Sequence, residues 1–314
     1  MVPLVQRSEQ PAPPAIDHAR RGAVGAPPVS EADRLRAPGS EWLYVKLYSA
    51  PELLDDLIAG PVRGISEFAQ VTGMAEQSFF LRYADPESHL RLRFRSRDSD
   101  GLLRRLLPEV CRWAGEQMAA GSCQKFMFDS YDREIERYGG LDGLSVAEAI
   151  FAADSRAVLE MLELAMATPA LDRTMMAVAS IDSMLRALGA DAAERLAWYA
   201  AQTVSKKESS AEYRQRGPDL RRLIGDPAEL ERMPGGRELT RILQQRSDAL
   251  APCGQELMAL SQRGVLGQDM KTLWRSYVHL HCNRLLAASS QHEQLLLGLL
   301  LRVHESLSRA PVHR

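Results

Sequence analysis

Residues 77–96 read QSFFLRYADPESHLRLRFRS, two β-rich runs on either side of the turn residues Asp85-Pro86. In the second run His89, Arg91, Arg93 and Arg95 alternate with Leu90, Leu92 and Phe94. The two-residue period of a strand puts one histidine and three arginines on one face and the apolar trio on the other. Upstream, EWLYVKLYS (41–49) alternates in the same way, with Leu43, Val45 and Leu47 opposed to Trp42, Tyr44, Lys46 and Tyr48. Between these strands, PELLDDLIAGPV (51–62) opens on a proline suited to a helix start, and the helical pattern runs to about residue 71 with a break at Gly60-Pro61. Downstream, SDGLLRRLLPEVCRWAGEQMA (99–119) reads as a helix and CQKFMFDSY (123–131) as another strand. The order β-α-β-β-α-β predicts an antiparallel split βαβ sheet, ferredoxin-like, with helices on one face and the other face available.

From about residue 144 to 314 the period becomes helical, so the fold class is α+β: a sheet-containing part at about 40–143 and a helical part behind it. Residues 208–236, with Gly217-Pro218, Asp226-Pro227 and Pro234-Gly235-Gly236, read as a loop or lid. Residues 1–39 are rich in Pro, Ala and Gly and poor in aromatics, and are expected to form a disordered arm ahead of one domain at 40–314.

Apolar residues make up 45% of the 314, enough for a sizeable core. Lys plus Arg total 39 against 41 Asp plus Glu, so there is no global attraction to nucleic acid or to an anionic membrane. The four cysteines, Cys111, Cys123, Cys253 and Cys282, lie far apart without metal-ligand spacing and read as free thiols in a reducing compartment. No apolar run reaches transmembrane length, and the twin arginine of HARRGAVGAPPVSEADRL lacks an apolar export segment, so a cytoplasmic location is expected.

Three stretches could carry chemistry. The arginine row of HLRLRFR is either the wet face of a sheet or a preorganised anion site, since guanidinium groups capture carboxylate and phosphate bidentately. In SYDREIERYGG (130–140), an extended chain would set Arg133 and Arg137 opposite Glu134 and Glu136, whereas a helical turn would pair Glu134 with Arg137. Both conformations are open, as is a plain surface ion pair. In WRSYVHLHCNRLL (274–286), His279 and His281 sit two apart on a helix and point in different directions, which disfavours metal chelation by the pair; His279 is suited to proton transfer near neutral pH.

Taken together, WLYVKLY, FFLRYADPESHLRLRFR, YDREIERYGG, AEAIFAADS and SYVHLHCNR, in this order, resemble the C-terminal elimination domain of LanB-type lantibiotic dehydratases, also found as stand-alone proteins of thiopeptide biosynthesis. The likeness covers nearly everything after residue 40. It implies action on a ribosomally made precursor peptide, leader and core, whose Ser or Thr has been glutamylated from glutamyl-tRNA by a separate protein. This chain would expel glutamate to leave dehydroalanine or dehydrobutyrine. Matched motif by motif, the resemblance implies catalytic roles for Arg91, Arg93, Glu134, Arg137 and His279. Arg82, His89, Asn283 and Arg284, within the same motifs, are expected to bind substrate. No cofactor, metal or direct nucleic-acid partner is implied.

The chemistry fits those residue types: β-elimination removes an α-proton, builds enolate charge and releases a carboxylate, which arginines can offset. Glu134 or His279 could move the protons. A divergent branch of the family, the thiopeptide pyridine synthases, joins two dehydroalanines in a formal [4+2] cycloaddition with loss of the leader. Two noncatalytic readings stand beside these: an RNA-binding module stacking bases on Trp42, Tyr44 and Tyr48, and a leader-peptide chaperone working by strand addition.

Overall fold

The computed structural model describes residues 29–204, 207–287 and 290–309. The expected disordered arm lies outside the described residues up to residue 28. Its last part is ordered: a single turn, α1 (Glu31–Arg34), leads into a two-residue strand, β1 (Leu35–Arg36). Order there begins before residue 40 because Ser30 caps the turn and β1 has a strand to pair with.

The main sheet holds β2 (Trp42–Tyr48), β3 (Gln77–Tyr83), β4 (His89–Arg95) and β5 (Lys125–Phe128) in the order β3-β4-β2-β5, every neighbour antiparallel. This is the split βαβ arrangement expected from the alternation. The first crossover runs from α2 (Leu54–Leu57) through a π turn (Ile58–Val62) into α3 (Arg63–Val71). The break expected at Gly60-Pro61 is thus a widened turn inside one helical run, which accommodates a proline that cannot donate the usual backbone bond. The second crossover, α4 (Ser99–Gly101), a π turn (Leu102–Leu106) and α5 (Leu107–Ala119), packs on β2. Leu43, Val45, Leu47, Leu90, Leu92 and Phe94 are buried with Ile58, Leu102 and Val110 in one core.

The opposite face of the sheet is not left open as expected. Trp42 and Tyr44 are 2% and 4% exposed, and Phe79 is buried beside them. A second small ribbon, β1 with β6 (Tyr131–Asp132), brings Tyr131 edge-on to Trp42 and Phe79. Helix α6 (Leu141–Ala167) adds Phe151 edge-on to Phe79. Apolar rings on that face demanded a cover, and the covered Trp42 and Tyr44 have no free surface on which to stack bases.

The helical part continues with α7 (Arg173–Ala187), α8 (Ala192–Gln202), α9 (Lys207–Gly225), α10 (Pro227–Arg232), α11 (Gly236–Gln262), α12 (Met270–Leu286) and α13 (Ser290–Arg309). The expected loop or lid at 208–236 is therefore largely helical: Leu220, Leu223 and Leu230 are buried, and α9 lies against α13 despite Pro218 within it. Tertiary burial outweighs the local breakers.

Two buried acids tie these helices together. Asp154 of α6 accepts from Arg246 Nη1 of α11 at 2.8 Å and from His281 Nδ1 and Arg284 Nη1 of α12, each at 2.9 Å. Burial works to raise this carboxyl, but the charges of His281, Arg284 and Arg246 overcome it and hold Asp154 well below the ordinary carboxylate range. Asp182 of α7 does the same for Arg195 (2.9 Å) and Tyr199 (3.0 Å) of α8 and His304 of α13 (2.7 Å).

Candidate active site

On the arginine face of the sheet, where α6 and α12 meet β3, a cleft of about 270 Å³ opens. Arg91, Arg93, Glu134, Arg137 and His279 all line it, although they come from β4, the turn after β6 and α12.

Arg93 forms the floor. Its guanidinium carbon lies 4.3 Å from the ring centres of both Tyr44 and Tyr131 and 5.3 Å from that of Phe79. The residue is 4% exposed, forms no hydrogen bond or ion pair among the described residues, and its Nε is buried without a partner. A buried cation stacked on aromatic faces and lacking an anion keeps its charge available to one from outside the protein. Arg91, two positions along the strand, lies 3.3 Å over the Tyr83 ring and donates Nε–H to His89 Nε2 at 3.1 Å. With Nε2 accepting, the His89 proton is on Nδ1, which donates to the Glu87 carbonyl at 2.8 Å. Burial, with Arg91 and Lys46 nearby, lowers the His89 pKa and favours this neutral ring.

The chain after β6 takes the turn form of its two open conformations. A 3-10 turn (Glu136–Tyr138) brings Arg137 Nη1 within 2.6 Å of Glu134 Oε2, and Arg137 Nε reaches Ser276 Oγ at 3.4 Å. Three neighbours fix this turn. Arg133 is turned inward into a bidentate pair with buried Glu148 (2.9 and 3.0 Å), Arg34 pairs with Glu136, and Ile135 is fully buried. Gly139 then takes a left-handed conformation, φ 85°, that lets the chain reverse into α6. Four arginines, Arg82, Arg91, Arg93 and Arg137, line the cleft together with two carboxylates, Asp132 and Glu134.

Of the residues expected to bind substrate, Arg82 and Asn283 line the cleft, whereas His89 and Arg284 do not. Arg284 does not line the cleft: it is 1% exposed and spends its guanidinium on Asp154 and on the Phe80 carbonyl (3.0 Å). His89 is likewise buried behind Arg91. Asn283 lines the wall, yet its amide is spent on the backbone N–H and C=O of Arg82, each at 2.9 Å. The Arg82 side chain is tied to Asp55 (2.7 Å) and to the Arg284 carbonyl (2.8 Å), with Nη2 left without a partner. These four hold the strand and the arginine row in place.

Two contributors escaped the sequence reading. The Tyr44–Tyr131–Phe79 cage around Arg93 joins residues from three strands and carries no local signal. Glu293 accepts from His279 Nδ1 at 2.9 Å across the reversal between α12 and α13. Among the described residues no cluster of three His, Cys, Asp or Glu could hold a metal ion, and no helix is long and apolar enough to cross a membrane.

Residues 42–304, which carry both the sheet and the cleft, match the family described as lantibiotic biosynthesis dehydratase C-term. The chain belongs to that family. This dehydratase C-terminal domain is 27% identical over 280 residues to the subtilin biosynthesis protein SpaB of Bacillus subtilis, a match covering 86% of the chain and 26% of SpaB. It is similar in structure to the tRNA-dependent lantibiotic dehydratase MibB from Microbispora sp. 107891, with a TM-score of 0.74, 25% identity, and coverage of 90% of this chain and 29% of MibB. The chain thus spans between a quarter and a third of the length of these relatives. The pyridine synthase TbtD from thiomuracin biosynthesis shares the fold at a TM-score of 0.63 and 16% identity, covering 86% of this chain and 100% of TbtD.

Proposed function

We propose that this chain is a lyase that expels glutamate from glutamylated Ser or Thr of a ribosomally made precursor peptide, leaving dehydroalanine or dehydrobutyrine. A separate tRNA-dependent protein would install the glutamyl group. The observation that carries this reading is Arg93, a guanidinium caged by aromatic rings, with no anion partner among the described residues, at the floor of a cleft that also holds Arg91 and Arg137. Substrate supplies the missing negative charge: the free carboxylate of the glutamyl group at the start, and a second carboxylate as the ester C–O bond breaks. The α-proton passes to a base, its electron pair becomes the Cα–Cβ double bond, and the Cβ–O pair leaves with glutamate. His279 and Glu134 are among the cleft groups able to carry the proton, with Asp132 also in the lining. Arg91 and Arg137 hold the leaving carboxylate.

The test is direct. Purified protein, given glutamylated precursor without tRNA or ATP, releases free glutamate and leaves a product one water lighter than the unmodified peptide. The superposition on the whole of TbtD motivates a second reading, cycloaddition of two dehydroalanines. Glutamylated peptide left unchanged, together with conversion of a polydehydroalanine peptide into a pyridine ring and free leader, would replace the first reading by the second.

A further inference from the structure

His279 and Glu293 form a pair that the five cleft residues do not account for. His279 projects from α12 into the cleft with its side chain 51% exposed, while the Glu293 carboxylate behind it is 15% exposed. Both backbones are anchored: His279 lies between buried Val278 and Leu280, and Glu293 is one turn ahead of buried Leu296 and Leu297. Helix α12 ends at Ala287, whose φ is 50°. The ring is therefore held from its Nδ1 side by a group that is itself fixed.

We infer that Glu293 is a positioning residue that sets the tautomer of His279 and thereby makes Nε2 the base of the elimination. A carboxylate only accepts hydrogen bonds, so Nδ1 carries the hydrogen and Nε2 of the neutral ring carries the lone pair. Of the two nitrogens, Nε2 is the one free for substrate. Of the two cleft carboxylates, Glu134 already accepts from Arg137 at 2.6 Å, which suits it to holding that guanidinium, and Asp132 sits exposed on the short ribbon opposite Leu35. In the step itself the Cα–H bond breaks and its proton moves to Nε2. The electron pair forms the Cα–Cβ bond, the Cβ–O pair departs with the glutamate carboxylate, and Glu293 faces the imidazolium so formed. The proton then passes to solvent and the ring is restored. The inference rests on the elimination reading above, and it deepens that reading by assigning the base.

The experiment combines ring-nitrogen NMR of histidine-labelled protein with steady-state glutamate release. The His279 signal is assigned by its loss in His279→Ala and read at a pH about two units above the ordinary imidazole value. Wild-type protein shows the Nδ1–H form. Glu293→Ala shows the Nε2–H form, and its kcat falls at least about tenfold while KM stays within about twofold. Glu293→Gln, whose amide oxygen still accepts, keeps the Nδ1–H form and recovers most of kcat. A Glu293→Ala protein with unchanged tautomer and full kcat overturns the inference. Wild-type protein that releases no glutamate overturns the elimination reading instead, and the tautomer, read without substrate, still decides whether Glu293 sets the ring.

Discussion

Asn283 closes the outer edge of β3 with its side chain: Oδ1 accepts the Arg82 N–H and Nδ2 donates to the Arg82 carbonyl, each at 2.9 Å. The amide thus does for the edge what a neighbouring strand would do. Replacing it by alanine strands a backbone donor and acceptor in a half-buried place. Asn283→Ala is expected to lose about 1–3 kcal/mol of stability in urea unfolding. Asn283→Asp, which accepts but cannot donate, should recover only part of this.

Arg93 presents the opposite balance. Its buried charge has no anion partner among the described residues, so the folded protein bears a desolvation cost that, on the proposed reaction, substrate would relieve. Arg93→Met, of similar length and apolar, is expected to leave the melting temperature equal or higher while abolishing glutamate release. A lower melting temperature would mean that the cage stabilises the cation by itself.

The buried histidines give stability a pH dependence with a definite sign. Burial lowers the pKa of His281 and of His89 below the ordinary 6.5, against the pull of Asp154 in the first case and of the Glu87 carbonyl in the second. As pH falls below 6.5, the unfolded chain takes up protons that the folded chain refuses. The contribution is complete above 6.5 and is lost as pH falls through the depressed folded values. Each group can add a slope of up to about 1.4 kcal/mol per pH unit. Urea unfolding from neutral to mildly acid pH should show this decline, and His281→Asn should flatten it.

Gly139 sets the aim of Arg137. Its φ is 85°, and a Cβ there would come within 2.7 Å of Leu266 Cδ1. Gly139→Ala is expected to cost about 1–3 kcal/mol and to reduce glutamate release. Adding Leu266→Ala removes the clash but not the backbone strain, so the double variant should recover stability only in part.

The sheet was legible because its signal is local. Alternation in EWLYVKLYS and HLRLRFR specifies faces as well as strands, and the crossover helices carry their own start signals. What could not be read is set by contacts distant along the chain. Nothing near Asp154 announces Arg246 or His281, and an arginine such as Arg284, read as a ligand for substrate, serves the same acid. Glu293 is hidden from His279 by a change of helix. The segment 208–236 misled for a related reason: its prolines and glycines are visible in sequence, whereas the burial of Leu220 and Leu223 that makes it helical is a tertiary fact.

Helix α12 carries a cleft histidine and the edge clamp on consecutive turns: His279 faces the cleft, and Asn283 and Arg284 grip the backbone of Arg82 and Phe80. The helix works as a caliper. Sliding it along β3 would break the bonds to both residues before the gap between His279 and the arginine row changed by one residue's rise. On the proposed reaction, a peptide substrate would enter, and glutamate would depart, past side chains that swing, with the sheet and the helical half locked at one spacing.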